Sequence, residues 1–344
     1  MNSANAVKTD SGWSTALWVS IAMVVVPLLS MFPHVTNSAD LVRIRHALLL
    51  DATSDAAVDW APPNFPSGFK QETSPVPPVI TAAAKDLGLL SISSDWDRAL
   101  AISAHLLGSQ PVLTGGAIKS DLVGTYRRIV VDGRGYCGDF VRVFTALSNA
   151  GGIITRSWAF SFDDFDGGGH IWLEIWNRQA QAWQLVDIFN NQYFVQADER
   201  PLSALELRQA MLRSPDSVHV RRLYQEARPG FPLEAMGSDY IRRGLAQWFQ
   251  LRGNNISTYD ANWLVSSLSG LSRSFEQMGG ILTGVSPQLV ILKDTSNKKE
   301  RESLWRLRMQ LFVVAAAMLI GSVVCSVCVI RWLRRSAVGR QRQR

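Results

Sequence analysis

Three side chains in the middle of the chain have the types and the order needed for thiol-based acyl transfer: Cys137, His170 and Asp187. Cys137 stands in the stretch GRGYCGDF and is the only cysteine outside the last apolar segment. A cysteine nucleophile needs a general base, and that base needs a third group that orients it. Whether these three residues can act together depends on the elements that carry them.

The residues after Cys137 have the spacing of a buried helix. Apolar residues recur at intervals of three and four from Phe140 to Leu147, and Gly151-Gly152 ends the pattern. The pattern therefore predicts Cys137 at the N-terminal end of a helix. Free N–H groups and the helix dipole stabilise a thiolate there, and the Cys N–H can hold an oxyanion.

The segment HIWLEIW, which begins at His170, has the strict alternation of a β-strand. The alternation places His170 on one face with positions 172, 174 and 176, and it places the isoleucines and the leucine on the other face. His34 abuts the first apolar run, and the remaining histidines lie in helical patterns without an acid in obvious support. His170 is therefore the predicted base.

The turn after this strand sets which residues face each other. NRQA, residues 177–180, has the length of a common hairpin loop, and WQLVDIF follows as the next strand. Counted outward from that loop, His170 stands directly opposite Asp187, and Glu174 stands opposite Trp183. Opposed residues have Cβ atoms about 5 Å apart. The loop length thus predicts an imidazole–carboxylate contact, which a slip of one residue would destroy.

The succession GYCGDF, GGIITRSW, HIWLEIW and WQLVDIF resembles the transglutaminase-like (papain-like) cysteine enzyme superfamily, over roughly residues 95 to 190. That family has a Cys at a helix start, an Arg-containing strand, an H-x-W-x-E strand and an Asp after a Trp. The resemblance implies Cys137 as nucleophile, His170 as base and Asp187 as the group that orients the base.

Four residues beside these positions are predicted to bind substrate or to support the site: Tyr136, Trp172, Glu174 and Trp183. Tyr136 and Tyr126 are the candidates for a side-chain oxyanion donor. Packing is the simpler role for Trp172, and support of the fold is the simpler role for Glu174 and for Arg156.

The loop FDDFDGGGH before His170 carries Asp163, Asp164 and Asp166. Close carboxylates on a flexible loop can bind Ca²⁺, but the spacing of an EF-hand is missing, so a solvated loop is the favoured interpretation. The glycines would let this loop move over the site. No cofactor is expected, and calcium is the weak metal candidate.

Two charge-free apolar runs frame the chain, at residues 13–33 and 310–330. Each is long enough to cross roughly 30 Å of hydrocarbon as a helix. The first run exceeds the usual apolar length of a signal peptide and no good A-x-A site follows, which favours an uncleaved anchor. Cys325 and Cys328 lie inside the second run and are interpreted as small apolar residues rather than a redox pair.

The net charge of +6 comes from the tail after Ile330, which carries six arginines and no acid. Without it, 29 (35 − 6) basic residues balance 29 acidic ones, so the charge gives no argument for nucleic-acid binding. An all-basic tail is typical of the cytoplasmic side of a membrane. We expect both termini in the cytoplasm and the domain between them on the periplasmic side of the inner membrane. The reverse topology stays open, because basic residues also precede the second span.

The expected fold is α+β. A helix carrying Cys137 packs on an antiparallel sheet carrying His170 and Asp187, a helical C-terminal extension follows, and two transmembrane helices flank the whole. Helical patterns include SDWDRALAISAHLLG, with Ser94 as N-cap, and SDYIRRGLAQWFQLRG in the extension. The predicted segments are a cytoplasmic tail (1–12), a span (13–33), a Pro-rich linker (34–80), the core (81–199), the extension (200–309), a span (310–330) and a basic tail (331–344).

These features predict a membrane-anchored cysteine enzyme that forms a thioester on a peptide or amide-bearing envelope substrate. Hydrolysis, as in a protease or amidase, is favoured by analogy, and transfer to an amine stays open. The alternative is a non-catalytic module that uses the same fold to bind an envelope or polysaccharide-assembly partner. No oligomeric state is implied.

Overall fold

The computed structural model describes residues 7–36, 38–53, 57–108, 121–162, 165, 168–225 and 241–341. The chain divides into two compact units. One consists of Met1–Ala47 and Glu302–Arg344 and contains the apolar helices, and the other is Leu48–Arg301.

Helices and strands occur in groups along the chain. The helices are α1 (Val7–Thr36), α2 (Ser38–Leu49), α3 (Pro78–Asp86), α4 (Asp95–Leu107), α5 (Leu122–Asp132), α6 (Cys137–Ala150), α7 (Ala204–Arg213), α8 (Ile256–Ala261), α9 (Trp263–Ser269), α10 (Arg273–Leu282) and α11 (Lys298–Gln341). The strands are β1 (Leu50–Thr53), β2 (Thr155–Ser161), β3 (Gly169–Asn177), β4 (Ala182–Val186), β5 (Gln192–Val195), β6 (His219–Arg222), β7 (Trp248–Arg252) and β8 (Gln288–Leu292). The α+β class predicted from the sequence is confirmed.

Six strands of the described residues form one sheet in the order β1-β8-β7-β2-β3-β4. Its neighbouring strands are antiparallel except for β1 and β8, which run parallel, so the sheet is mixed. Strands β5 and β6 form a separate two-stranded ribbon. Strand β2 lies inside the large sheet and is buried along its whole length.

Helices cover both faces of this sheet. On one face, Phe144 of α6 belongs to the same core as Leu173 and Ile175 of β3. On the other face, Trp172 of β3 belongs to a second core with Leu207 of α7. The alternation predicted for β3 is therefore present, and both of its faces are buried because each is covered by helices.

The helices predicted nearest to the site are found where the sequence placed them. Helix α4 begins after Ser94, whose side chain accepts a hydrogen bond of 3.2 Å from the Asp97 N–H. Helix α6 begins at Cys137 and ends before Gly151. The start of α4 follows from a polar cap, and the end of α6 follows from a glycine.

The C-terminal extension is helical in α7 to α10, but it also supplies two strands of the sheet. The helical interpretation of SDYIRRGLAQWFQLRG is wrong at WFQLR, which forms β7 between β2 and β8. A five-residue run that is buried in a sheet interior lacks the alternation that separates strand from helix. The sheet thus continues past residue 199, and β1 enters it from the segment expected to be a Pro-rich linker.

Helices α1 and α11 contain segments long and apolar enough to cross a membrane, Ser14–Phe32 and Lys298–Arg334, with mean hydropathies of 2.1 and 2.7. They overlap the two predicted spans and indicate a membrane location. The two helices pack within their unit, since a Cβ added at Gly321 would lie 2.9 Å from the carbonyl oxygen of Ser20. Such close approach at a small residue is typical of helix packing in membranes.

Candidate active site

The β3–β4 hairpin carries two of the three predicted catalytic residues. Its loop is residues 178–181, and Trp176 pairs with Trp183 across it. The predicted register, with His170 directly opposite Asp187, is wrong by two residues. Because side chains alternate with a period of two, a shift of two keeps His170 and Asp187 on the same face of the sheet.

Asn177 accounts for the different register. It continues β3 by one residue and pairs with Ala182. Its side-chain oxygen also accepts hydrogen bonds from the N–H groups of Gln179, at 2.9 Å, and Ala180, at 3.1 Å. An Asn that bonds the backbone two and three residues ahead stabilises a turn, so the loop starts after Asn177 instead of at it.

The loop that leads into β4 is also held by a residue outside the hairpin. Arg178 in the loop donates to the buried carboxylate of Asp95, which opens α4, through its N–H and its guanidinium. Arg98 of the same helix makes a further ion pair with that carboxylate, at 3.2 Å. These contacts lower the pKa of Asp95 against the opposing effect of its burial. The hairpin is thereby fixed to the helical face of the domain.

His170 and Asp187 are in direct contact. His170 Nε2 lies 2.8 Å from Asp187 Oδ1, and both side chains are fully buried. Asp187 follows Val186, which pairs with Leu173, so it lies diagonal to His170 within reach of the imidazole. Gly169 makes this start of β3 possible, because a Cβ there would lie 1.9 Å from the Phe160 carbonyl oxygen.

Two residues that the sequence interpretation missed hold the Asp187 carboxylate. Asn190 Nδ2 donates to Asp187 Oδ2 at 2.8 Å, and Gln192 Nε2 donates to the same oxygen at 3.0 Å. The backbone between them turns through Asn191, at a φ of 54°, which asparagine tolerates better than most residues. The signal was the segment DIFNNQ directly after a buried strand, where an Asp is followed three residues later by an Asn.

Cys137 is the first residue of α6 and is half-buried. The Tyr136 N–H before it donates to Asp139 Oδ2 at 2.9 Å, which fixes the entry into the helix. The Cys137 thiol lies near enough to His170 to raise the pKa of the imidazole. The first N–H groups of a helix have no acceptor within the helix, so those of Cys137 and Gly138 can serve as donors to a bound group.

The electrostatics of the site favour a charged imidazole. Burial alone lowers the pKa of His170, but the Asp187 carboxylate and the nearby Cys137 sulfur more than compensate and raise that pKa to about 10. An imidazolium is therefore the stable form at neutral pH. It lies between two groups that carry or can carry negative charge.

This pKa gives the first prediction, which concerns stability against pH. A histidine titrates near 6.5 in the unfolded chain, so the folded chain holds an extra proton between pH 6.5 and about 10. The contribution of His170 is fully present below pH 6.5 and is lost as pH rises toward 10, with a limiting slope of about 1.4 kcal/mol per pH unit. The measurement is the urea unfolding midpoint of the detergent-solubilised chain at several pH values.

The control for this prediction is the His170→Gln variant, which has no titrating group at that position. The difference in midpoint between the wild type and this variant should shrink from pH 6.5 to pH 10. A difference that is constant, or that grows with pH, contradicts a proton held at His170.

The supporting residues predicted beside the site fall into different places. Trp172 is fully buried, and its ring lies 5.6 Å from that of His170 with nearly perpendicular planes, so it packs against the base and has no surface for substrate. Tyr136 is 48% exposed next to Cys137 and is free to meet a ligand. The aspartates at 163, 164 and 166 lie outside the described residues.

Glu174 and Trp183 belong to a separate cluster around Arg156. The buried Glu174 carboxylate forms an ion pair with Arg156, and it accepts 2.6 Å hydrogen bonds from Trp158 Nε1 and the Ala204 N–H. The Arg156 guanidinium lies 4.1 Å from the centre of the Trp183 ring. Glu174 was expected opposite Trp183 and is instead paired with Leu185.

The cluster lines a cleft of about 390 Å³ that contains Trp60, Arg156 and Trp183. None of Cys137, His170 or Asp187 lines this cleft. The Arg156–Glu174 pair joins β2, β3 and the start of α7. The cleft is distinct from the candidate active site.

The arrangement around Cys137 has the parts that acyl transfer requires. It has a thiol at a helix start, an ionisable imidazole near it, and a fixed carboxylate behind the imidazole. The N–H groups at a helix start are available as backbone donors to an oxyanion. The base, the nucleophile and the orienting group come from three different elements, which only the folded sheet and helix bring together.

Comparison with known proteins agrees with this description. A family model described as the transglutaminase-like superfamily matches residues 94–188, a little over a quarter of the chain. The match runs from the cap of α4 to the end of the β3–β4 hairpin and includes Cys137, His170 and Asp187. No curated protein matches the chain.

Proposed function

We propose, from the premise that residues 94–188 are a domain of the transglutaminase-like superfamily, that this chain is a membrane-anchored cysteine enzyme of acyl transfer. The observation that carries the proposal is the placement of Cys137 near His170 and the hydrogen bond of His170 to Asp187, inside the matched segment. In this proposal Cys137 is the nucleophile, His170 the acid and base, and Asp187 the orienting carboxylate.

The proposed first half-reaction uses the charge state of the site. The Cys137 thiolate attacks an amide carbonyl carbon, and the electron pair of the C=O bond moves onto the oxygen, which the N–H groups of Cys137 and Gly138 stabilise. His170, protonated at neutral pH, gives its proton to the leaving nitrogen as the C–N bond breaks. The products are an amine and a thioester on Cys137.

The second half-reaction restores the enzyme. Neutral His170 takes a proton from water as the water oxygen attacks the thioester carbon, and the sulfur leaves as the thiolate. The product is a carboxylic acid, and the imidazolium–thiolate pair is regenerated. Attack by an amine instead of water would give a cross-link. Hydrolysis of a peptide or amide in the cell envelope is the favoured form.

The proposed location follows from the two apolar helices and the basic tail. Both termini lie in the cytoplasm, and the unit Leu48–Arg301 lies on the periplasmic side of the inner membrane. Reporter fusions at residue 200 and at the C-terminus test this. A cytoplasmic signal at residue 200 would reverse the proposed orientation.

The test of the activity is a burst experiment that needs no knowledge of the substrate. The full chain in detergent is mixed with p-nitrophenyl acetate, an activated acyl donor, and the release of p-nitrophenolate is followed. Formation of an acyl-enzyme predicts a rapid burst of about one equivalent per chain, followed by slow turnover. The control is Cys137→Ala, which should show only the slow background.

The rival function is a module that binds a partner without chemistry. It predicts that folded wild-type chain and the Cys137→Ala variant release p-nitrophenolate at the same rate. That outcome would contradict the proposed enzymatic function. Intact mass spectrometry of the burst product checks that the acyl group is on Cys137 and not on a surface lysine.

A further inference from the structure

The helical hairpin formed by α9 and α10 exposes large apolar side chains. Trp263 is 71% exposed, Leu271 is 70% exposed and Leu282 is 75% exposed. Phe275 and Met278 of α10 are exposed as well. The other exposed large aliphatic side chains in the described part of Leu48–Arg301 are dispersed over different elements: Leu90, Val131, Leu212 and Val220. The hairpin therefore carries a concentrated apolar surface, which signals an interaction site.

The exposed side chains of α10 lie on the side that faces away from the domain. Arg273 Nη1 lies 3.9 Å from Asp139 of α6, and Glu276 interacts with Arg142 of the same helix. These two residues mark the inner side of α10. At 3.6 residues per turn, positions 275, 278 and 282 form one stripe on the opposite side.

Helix α9 lies alongside α10 and leaves this stripe uncovered. A Cβ added at Gly279 would lie 3.2 Å from the Leu268 side chain and 3.3 Å from the Leu264 backbone, which shows how closely the two helices pack. The inner positions of α9 thus pack against α10. Trp263, at its start, is left exposed beside the stripe.

The chain offers a lipid surface as the partner of this face. The hairpin is followed by β8 and then by α11, which is continuous from Lys298 into the apolar run that starts at Met309. The domain is held near a lipid surface at both ends, since spans precede and follow it. Such tethering raises the effective concentration of the lipid surface at the hairpin.

The composition of the face also fits a lipid interface. Tryptophan is enriched where a membrane meets water, and amphipathic helices lie in that plane with the apolar side buried. A cation lies just past the end of α10, where Lys70 Nζ donates to the carbonyl of Gly284. Anionic lipid head groups attract such a cation.

We propose that the α9–α10 hairpin docks its apolar face, formed by Trp263, Leu271, Phe275, Met278 and Leu282, on the lipid surface of the membrane that the chain spans. The contact rests on the proposed membrane anchoring of the chain and is independent of the proposed acyl-transfer activity. Through α10 and Asp139 it also reaches the first turn of the helix that carries Cys137.

The experiment places a fluorescent reporter on the face in the intact chain. Cys137, Cys325 and Cys328 are changed to alanine, and one new cysteine is introduced by Leu282→Cys. The chain is labelled with the polarity-sensitive dye NBD and reconstituted in nanodiscs that contain anionic lipid. NBD emission is recorded with and without lipids that carry a doxyl quencher on the acyl chain. Leu212→Cys on α7, the same residue type at 55% exposure, is the matched control.

Lipid docking predicts that the label at 282 emits at shorter wavelength than the label at 212 and is quenched by doxyl lipid several-fold more strongly. A second label through Phe275→Cys should behave like the label at 282. Equal, weak quenching at 282 and 212 would overturn the proposal. So would a shift to shorter wavelength at 282 without quenching, since that result means that protein, such as a second copy of the chain, covers the face.

Discussion

Replacing His170 with alanine is expected to lower the alkylation rate of Cys137 by iodoacetamide at pH 6.5 by about 100-fold. Two opposite unit charges about 4 Å apart attract by about 4 kcal/mol at an effective dielectric constant of 20, which corresponds to almost three factors of ten. The rate ratio at pH 6.5 is capped near 100-fold, because a free cysteine, which titrates near 8.5, is still about 1% thiolate there. In the proposed site, the imidazolium favoured by Asp187 provides that attraction for the Cys137 thiolate. Loss of the imidazole removes it and leaves a half-buried thiol.

The measurement uses full chain in which Cys325 and Cys328 are alanine, so that only one thiol reacts. Asp187→Asn should give a smaller loss than His170→Ala, because the imidazole remains but its charged form is no longer supported. His105→Ala is the matched control. His105 is hydrogen-bonded to Tyr126 at 2.9 Å, away from Cys137, and burial lowers its pKa. If His170→Ala reacts within twofold of the parent, the imidazolium–thiolate pair does not exist.

Breaking the ion pair between Arg156 and Glu174 is expected to destabilise the domain by about 3–5 kcal/mol. Both side chains are almost fully buried, at 1% and 0% exposure. Removal of either one leaves the other charge without its partner in a dry environment, where the penalty is large. Arg156→Met and Glu174→Gln should therefore both lower the urea midpoint of the detergent-solubilised chain, followed by tryptophan fluorescence.

A double variant and a surface control separate the charge effect from loss of packing. Arg156→Met/Glu174→Gln should cost less than the sum of the two single changes, because no lone charge is left behind. Arg200→Gln removes a pair with Glu206 in which each side chain is 40% exposed, and it should cost less than about 1 kcal/mol. If each single variant loses less unfolding free energy than Arg200→Gln does, that result contradicts a buried charge pair between β2 and β3.

Local sequence signals predicted the elements that carry the proposed site. The start of α6 at Cys137 follows from glycine and apolar spacing, and the identity of β3 follows from alternation. The contact of His170 with Asp187 was predicted from the wrong pairing. The contact is present in the structure because the two-residue shift keeps both side chains on the same face of the sheet. In addition, Asn190 and Gln192 hold the Asp187 carboxylate diagonal to His170.

Other parts of the fold depend on distant contacts that no local pattern reports. The segment WFQLR is a strand because β2 and β8 lie on either side of it, although its neighbours have helical spacing. The short strand β1 exists because β8 pairs with it. Turn chemistry moved the hairpin loop by one residue, through the two backbone hydrogen bonds of Asn177. Propensity is a weak guide where tertiary pairing decides.

The parallel pairing of β1 with β8 has a consequence for biogenesis. Leu50 of β1 lies beside Leu289 of β8. Strand β1 therefore has no partner in the sheet until almost the whole domain has been synthesised. Contacts this distant in sequence form slowly. The sheet therefore closes only after β8, which precedes the second apolar helix, has been synthesised. A nascent chain that stops before β8 leaves β7 as an open edge prone to aggregation.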